Sequence, residues 1–441
     1  MEAMARSVFF IIFLTSPFQF CLGQQNITIY YDSVDQVKET YTILNNDSSL
    51  MDGKYEMFHI NGKPALTGNY ANGQKTGLFT EYYPSGTRSR EINFKDDLKN
   101  GKMTVYDEEG NILQSAEFVD DTLTGKVSQY YTNGMIQSES HFKNGVLNGE
   151  VRKYYLSGDT SEVINYLDGL QQGKHLEYYK GGILKSEAQY DKGLPDGFFK
   201  TYYPNGQLNT NYRNNKGEKN GEFKTYSPQG ILIKEGYYSN GKIHGTATTY
   251  FESGQIQSTN RYQEGIRIGE SLYYNENGAV IKRIKFSDEG SSQHILEYYN
   301  NGNVMAEKSM VDDLPADTWK YYYSNKKDSL VESYSKGKLN GIRTFYDEKG
   351  RVMKEEPYVF GLISGEVRTY YPSGNIKEST ECRSHRKHGN RITYFENGDI
   401  ESKGRFTSNR RVGVWTYYDK RGNIIKKETY DNNKLVSEEI F

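Results

Sequence analysis

Cysteine is almost missing: Cys21 and Cys382 are the only two in 441 residues. If the N-terminal segment that holds Cys21 is removed, Cys382 stands alone and no intramolecular disulfide can form. Past residue 23 no apolar run is long enough to cross a bilayer, so no transmembrane helix is expected in the mature chain. No charge of one sign prevails. Lys and Arg number 55 against 57 Asp and Glu, and no basic patch of the kind that neutralises phosphates stands out, so nucleic acid is not an expected partner. Aliphatic residues are scarce too. The hydrophobic set is 35% of the chain and 40 of its members are Tyr, which argues against a large globular core. An aromatic content of 14% equally excludes disorder.

The motifs of common chemistries are also lacking. There is no thiolate pair, no HExxH helix and no Gly-rich loop opening a helix. Of seven histidines only His385 and His388 lie close, in HRKHG, and they read as solvated turn residues. Asp96-Asp97, Asp120-Asp121 and Asp312-Asp313 read as turn residues rather than Ca²⁺ ligands. A repeat surrounds every carboxylate alike, whereas a catalytic acid needs its own environment. No catalytic, cofactor-binding or metal-binding residue is therefore expected, no cofactor is implied, and the chain reads as a non-enzyme.

The N-terminus has the layout of a secretory signal peptide. Arg6 precedes the apolar run Val8–Leu14, and Cys21 and Gly23 are small residues at −3 and −1 of a cut after Gly23. Residues 1–23 are expected to be removed and the protein exported to the periplasm, cell surface or medium. Cys21 as a lipid-bearing cysteine is the alternative.

One repeat organises the rest. Gly recurs every 24 residues from Gly53 to Gly413, interrupted at Gln293 and Asp317. Numbering this Gly as position 0 gives sixteen copies without insertion over 53–436. Position 5 is Tyr in fifteen, among them Tyr82, Tyr106, Tyr130, Tyr154, Tyr178, Tyr202, Tyr226 and Tyr250; these form the expected structural core of the repeat. Position 9 is Gly in fifteen, position 11 is aliphatic in twelve and position 17 is aromatic in thirteen. Cys382 falls at position 17 and so reads as a small buried hydrophobe. Position 20 is Gly, Asn or Asp in fourteen copies, residues that tolerate a left-handed backbone.

The segments YYPSG and YYPNG around position 9 predict a type I turn with Pro at its second residue, closed by Gly in a G1 bulge. Position 5 then opposes position 11. Strict alternation puts 5, 11 and 17 on one packed face and 2 and 6 on the other. Each repeat becomes one β-hairpin, joined to the next by a second turn near position 20. The fold class is all-β: an elongated, twisted antiparallel sheet of about sixteen tandem hairpins with no large globular core. Residues 24–52 form a degenerate N-terminal cap and 437–441 a partial repeat. Copies 293 and 317 break the pattern (Glu289, Lys326 and Asp328 as well), which predicts a bend or loosening near 287–330.

The pattern in GEVRKYYLSG (149–158) and GEVRTYYPSGNIKES (365–379) resembles the MORN-repeat variant of bacterial proteins of the YwqK antitoxin-component type. The resemblance implies an antiparallel scaffold that holds proteins or lipids, and its antitoxin label implies neutralising a toxin protein. YDEEGNIL, YDEKGRVMKE and YDKRGNIIKKE also resemble the YD repeats of secreted toxin shells. Choline- or glucan-binding repeats share YY-x-x-x-G but are Trp-rich, and here only Trp319 and Trp415 occur. The expected function is an exported scaffold that binds a macromolecule, foremost another protein, with a glycan or membrane lipid as alternatives. Position-6 aromatics Tyr83, Tyr131, Tyr155, Tyr179, Tyr203, Tyr299, Tyr323 and Tyr371 are the candidate interaction surface.

Overall fold

Gly and Asp in left-handed turns leave the intervening segments free to extend. The computed structural model describes residues 23–31 and 35–441, and every regular element among them is a β-strand. The expected signal peptide lies outside the described residues apart from Gly23. Two compact units divide the chain, Met1–Leu194 and Pro195–Phe441. Within each, strands pair antiparallel with their neighbours in sequence. In the first unit this runs from the pairing of Gln24 with Leu44 to that of Tyr178 with Leu184. In the second it runs from Gly197 with Asn214 to Lys426 with Ile440.

The hairpin turn has the expected chemistry. The Tyr83 N–H donates to the Thr87 carbonyl at 2.8 Å and the Gly86 N–H to the Tyr83 carbonyl at 2.8 Å. Pro84 is the second residue, where its fixed φ suits a type I turn, and Gly86 takes φ +92° in the G1 bulge. Position 5 opposes position 11, as Tyr82 opposes Arg88. The second turn centres on positions 19 and 20, both left-handed, for example Asp96 (φ +52°) and Asp97 (φ +67°). That is the type I′ geometry whose twist matches the strands it joins.

The face assignment needs correction. Position 5 opposes 11, but position 4 opposes 13: Glu81 faces Arg90, so Ser89 at position 12 is an extra, bulged residue. A bulge resets the alternation. Positions 13, 15 and 17 therefore share a face with 2 and 4, while 5 and 11 share the other with 3 and 14. Aromatic 17 packs on position 2, not on Tyr at position 5. Phe79 meets Tyr70 and Phe94 edge-on at 5.5 and 5.2 Å, and Trp415 meets Phe406 at 5.1 Å.

The most buried rows are positions 2 and 15. Phe79, Val127, Phe223, Ala247, Ile295 and Trp415 hold the first; Ile92, Ala116, Ile164 and Ile284 hold the second. Trp415 has no exposed surface. Long cationic side chains at position 22 close this face by laying their stems over the rings. Lys75 sits 5.1 Å from the Phe94 ring, Lys99 5.3 Å from Phe118 and Arg411 4.5 Å from Trp415. At Trp415 and Phe79 the position-15 residue of the preceding repeat is Gly. A Cβ on Gly404 would fall inside the Trp415 indole, and one on Gly68 inside the Phe79 ring. In the C-terminal unit the same row turns ionic, with buried Glu332 3.0 Å from Arg343.

Position-0 Gly sits in a second bulge between hairpins. In the regular case Phe94 opposes Lys99 while Ile92 opposes Met103, so Asn93 alone faces Asn100, Gly101 and Lys102, and Gly101 takes φ +110°. At Gln293 this bulge is absent: Phe286 opposes Gln293 and Lys285 opposes His294 without a register shift. The two residues reappear in the preceding turn. The Ser287 N–H reaches the Ser292 carbonyl and Gly290 closes the turn on Ser287. Glu289 is not left-handed there; Gly290 is, at φ +74°. Repeat length is kept while bulge is exchanged for loop. Copy 317 instead retains the regular geometry with the wrong residues: Asp317 and Lys326 are held at φ +57° and +68° where other copies have Gly.

The N-terminal cap is a variant of the same hairpin. The Tyr31 N–H reaches the Gln36 carbonyl at 3.0 Å, one residue further than in the repeats.

Candidate interaction surface

The position-6 tyrosines line the hairpin-turn edge, and they are half-buried. In seven of the eight the hydroxyl is bound to the next repeat, donating to the carbonyl of its position 5. Tyr83 reaches Tyr106 at 2.8 Å, Tyr131 reaches Tyr154 at 2.7 Å, Tyr155 reaches Tyr178 at 2.6 Å and Tyr203 reaches Tyr226 at 2.9 Å. Tyr299, Tyr323 and Tyr371 do the same to Tyr322, Tyr346 and Tyr394. Tyr179 is half-buried and also has a partner. These side chains staple one hairpin to the next. Tyr31 of the cap donates likewise to Phe58, and His59 at position 6 contacts the Tyr82 carbonyl.

Where position 6 is short and polar, the side chain serves its own turn instead. Asp107 Oδ1 accepts the Asn111 N–H at 2.7 Å, Asp347 Oδ1 the Arg351 N–H at 2.9 Å and Asp419 Oδ1 the Asn423 N–H at 2.8 Å. The YD look-alike segments are thus ordinary members of the array with an Asp-capped turn.

The opposite face carries Tyr at position 5. Tyr106 is buried; Tyr82, Tyr130, Tyr154, Tyr178, Tyr202, Tyr226 and Tyr250 are half-buried. Their hydroxyls point at position 14 of the preceding repeat. Tyr106 donates to Glu91 at 2.6 Å, Tyr250 to Glu235 at 2.6 Å, Tyr322 to Glu307 at 3.2 Å and Tyr370 to Glu355 at 2.6 Å. The hydrogen bond from Tyr106 holds the Glu91 carboxyl below its usual range. The bond to Glu235, burial and the Glu235 charge push the Tyr250 phenol up to about 12. Burial, followed by the bond to Glu355, does the same for Tyr370. Position 14 was not singled out in the sequence, because Glu occupies it in only six of sixteen copies. Tabulating every column of the 24-residue frame would have shown it opposite the Tyr column.

Position 1 on this face is exposed and varied. Leu78, Phe198, Ile342 and Val414 stand about half exposed. Beside Phe198 lies a depression of about 510 Å³ lined by Phe198, Asn211, Arg213, Glu222, Lys224 and Tyr226 among others. The Arg213 guanidinium stacks on the Phe198 ring at 4.1 Å. A second, of about 340 Å³, is lined by Leu296, Asn303, Val304, Glu307, Tyr322 and Lys326.

His385 and His388 are not brought together around a common point. His385 is left-handed in a type I′ turn and contacts the Ile363 N–H, while His388 contacts the Ser408 N–H, each at 3.4 Å. The paired aspartates are turn residues: Asp97 and Asp121 each accept a backbone N–H from the preceding repeat, of Lys75 and Lys99, at 2.8 Å. Cys382 is half-buried on the aromatic face, and burial pushes its thiol up. Among the described residues Glu162, His175 and Glu177 are close enough to share an ion. Glu162 already lies 2.8 Å from His175 and 2.6 Å from Lys153, an arrangement matched by Arg391 on Glu378 at the same repeat positions.

Against known families the recurring frame is recognisable. Ten segments of the chain match the MORN repeat variant. They are 75–96, 99–120, 123–144, 171–192, 195–214, 219–242, 243–264, 363–381, 387–407 and 411–432, together just under half of the chain. Each begins two residues before a position-0 Gly, in the strand that precedes the bulge. No curated protein matches the sequence. Among solved structures the chain is similar to one in the Photorhabdus luminescens Tc holotoxin pore, at 10% identity and a TM-score of 0.16. That similarity spans 93% of this chain and 30% of the other, so this chain covers less than a third of that length.

Proposed function

We propose that these MORN-variant repeats form an exported scaffold that holds a protein partner on the sheet face carrying Tyr at position 5. The observation that carries this reading is the division of labour within the frame. Positions 2, 15 and 17 pack, position 6 staples, and positions 5 and 14 bond each other. Position 1 sets exposed large apolar side chains within the strands of this face, at Leu78, Phe198, Ile342 and Val414; the comparably exposed apolar residues at positions 18 and 21, such as Val119 and Leu170, flank the type I′ turns. Aromatic and aliphatic groups exposed on a rigid sheet suit protein recognition. The apolar segment Val8–Leu14 supports export. Neutralisation of a toxin protein would be one form of the same activity.

A photo-crosslinking residue placed at Phe198, Ile342 or Val414 tests it. The expected product is a discrete protein adduct, with no adduct from the same residue at Leu167 beside a type I′ turn. Binding on a glycan array or to vesicles, with no protein adduct at any of the three, overturns the reading.

A further inference from the structure

The depression beside Phe198 sits at a copy without a position-14 carboxylate. In six copies position 14 is Glu, and Glu91, Glu139, Glu235, Glu307 and Glu355 accept from the tyrosine of the next repeat. Here position 14 is Asn211. The Tyr226 hydroxyl that would donate to it has no hydrogen-bond partner among the described residues. Positive charge stands beside it. Lys224 is directly opposite Asn211 on the next strand. Arg213 is exposed two residues along the same strand, stacked on Phe198. Glu235 lies 3.7 Å from Lys224, and Glu222 lines the rim.

We propose that this depression binds a carboxylate supplied by an acidic peptide segment of the partner. The carboxylate takes the place that Glu holds in other copies. It accepts from the Tyr226 hydroxyl and the Arg213 guanidinium, beside Lys224, while an apolar neighbour in the peptide lies on Phe198. Arg stacked on a ring is pre-oriented for such a contact and loses little freedom in making it. The depression is roomy enough for one or two side chains. The inference rests on the scaffold reading and gives its partner a chemistry.

The test uses the full chain and a fluorescein-labelled peptide of alternating Glu and Phe with an amidated C-terminus. Its Gln counterpart is made twice, once amidated and once with a free C-terminus. The Glu peptide is expected to bind about tenfold tighter than the amidated Gln peptide, the worth of one charge-assisted hydrogen bond. The Gln peptide with a free terminus reports whether a chain end serves as well as a side chain. Asn211→Glu supplies the carboxylate in cis and is expected to abolish the preference while leaving the melting temperature unchanged or raised. Arg213→Gln weakens Glu-peptide binding, and Glu222→Gln, which removes the competing acid, tightens it. Equal binding of the Glu and amidated Gln peptides, or an Asn211→Glu protein that binds like the parent, overturns the proposal. So does binding to phosphatidylserine vesicles that Asn211→Glu removes while neither peptide binds. The crosslinked adduct at Ile342 or Val414 would survive any of these results, so failure here is distinguishable from failure of the scaffold.

Discussion

Lys326 and Asp317 show what a repeat tolerates. Both occupy left-handed positions that the frame fills with Gly elsewhere. The cost of a Cβ there is about 1 kcal/mol or more, partly offset because Gly has more freedom to lose on folding. Lys326→Gly and Asp317→Gly are each expected to stabilise the chain, by about 0.5–1 kcal/mol in urea titration. Phe360 stands at left-handed position 19, which other copies fill mostly with Asn, Asp or Lys, at φ +45° and 58% exposed, and Phe360→Asn should act in the same direction. A fall in stability for all three would show that the backbone relaxes at these sites without cost.

The Tyr–Glu contacts set the response to pH. Tyr250 and Tyr370, each pushed up to about 12, hold a proton in the folded chain that an unfolded chain releases around the ordinary value of 10.0. Their contribution is complete below pH 10 and is lost as pH rises toward 12. Glu91, held below its ordinary 4.5, contributes fully above that pH and loses its contribution as pH falls further. The melting temperature should therefore drop at both extremes. Tyr250→Phe with Tyr370→Phe should flatten the alkaline limb only, and Glu91→Gln the acid limb only. An alkaline limb unchanged by the double substitution would remove the tyrosines as its cause.

Between residues and the whole lies the hairpin, and here the sequence was legible in part. Turn chemistry at positions 9 and 20 identified the strands, the type I turn with its G1 bulge, the existence of the second turn and the pairing of 5 with 11. It did not identify the faces. The bulge at position 12 has no residue signature: Ser89, Leu113 and Gln137 are ordinary strand residues. One unpaired residue exchanges the partners of everything after it, so the aromatic column at 17 was assigned to the wrong side. The staple was hidden for a different reason. A tyrosine beside a turn looks exposed in sequence, and only the carbonyl of the next hairpin shows where its hydroxyl goes.

The exchange of bulge for loop at 287–293 was visible as two missing glycines, at Glu289 and Gln293, but not interpretable from them. A six-residue turn closed by two backbone hydrogen bonds should open more readily than a type I′ turn. Amides of 288–292 are expected to exchange faster than those of 264–268 in the preceding copy. Equal protection would mean that the longer loop is as well held as the regular turn.

At the scale of the molecule, stability is a sum over neighbours. Removing one complete repeat, residues 99–122, should leave a folded protein with unchanged far-UV circular dichroism per residue. Its urea slope should fall by roughly one-sixteenth. Removing 99–121 leaves one residue too many in a turn and puts downstream strands out of phase; a clear loss of melting temperature is expected. If the two deletions behave alike, register is not what the 24-residue spacing protects.

The staples also have a direction and an interruption. Each tyrosine at position 6 grips the repeat that follows it, never the one before. Ser227, Phe251 and Asn275 occupy that position in three successive copies, just ahead of the loop at 287–292. Ser227 and Asn275 turn inward to cap their own hairpins, and Phe251 has no hydroxyl to offer. Under tension a serial structure fails at its weakest junction, whatever the strength of the others. Pulled from its termini in an optical trap, the C-terminal unit should rupture first between about 221 and 292. Restoring the missing grips, as in Phe251→Tyr with Asn275→Tyr, should move the first rupture elsewhere. The same tyrosines that looked like anchors for another molecule would then set how much force this one can carry.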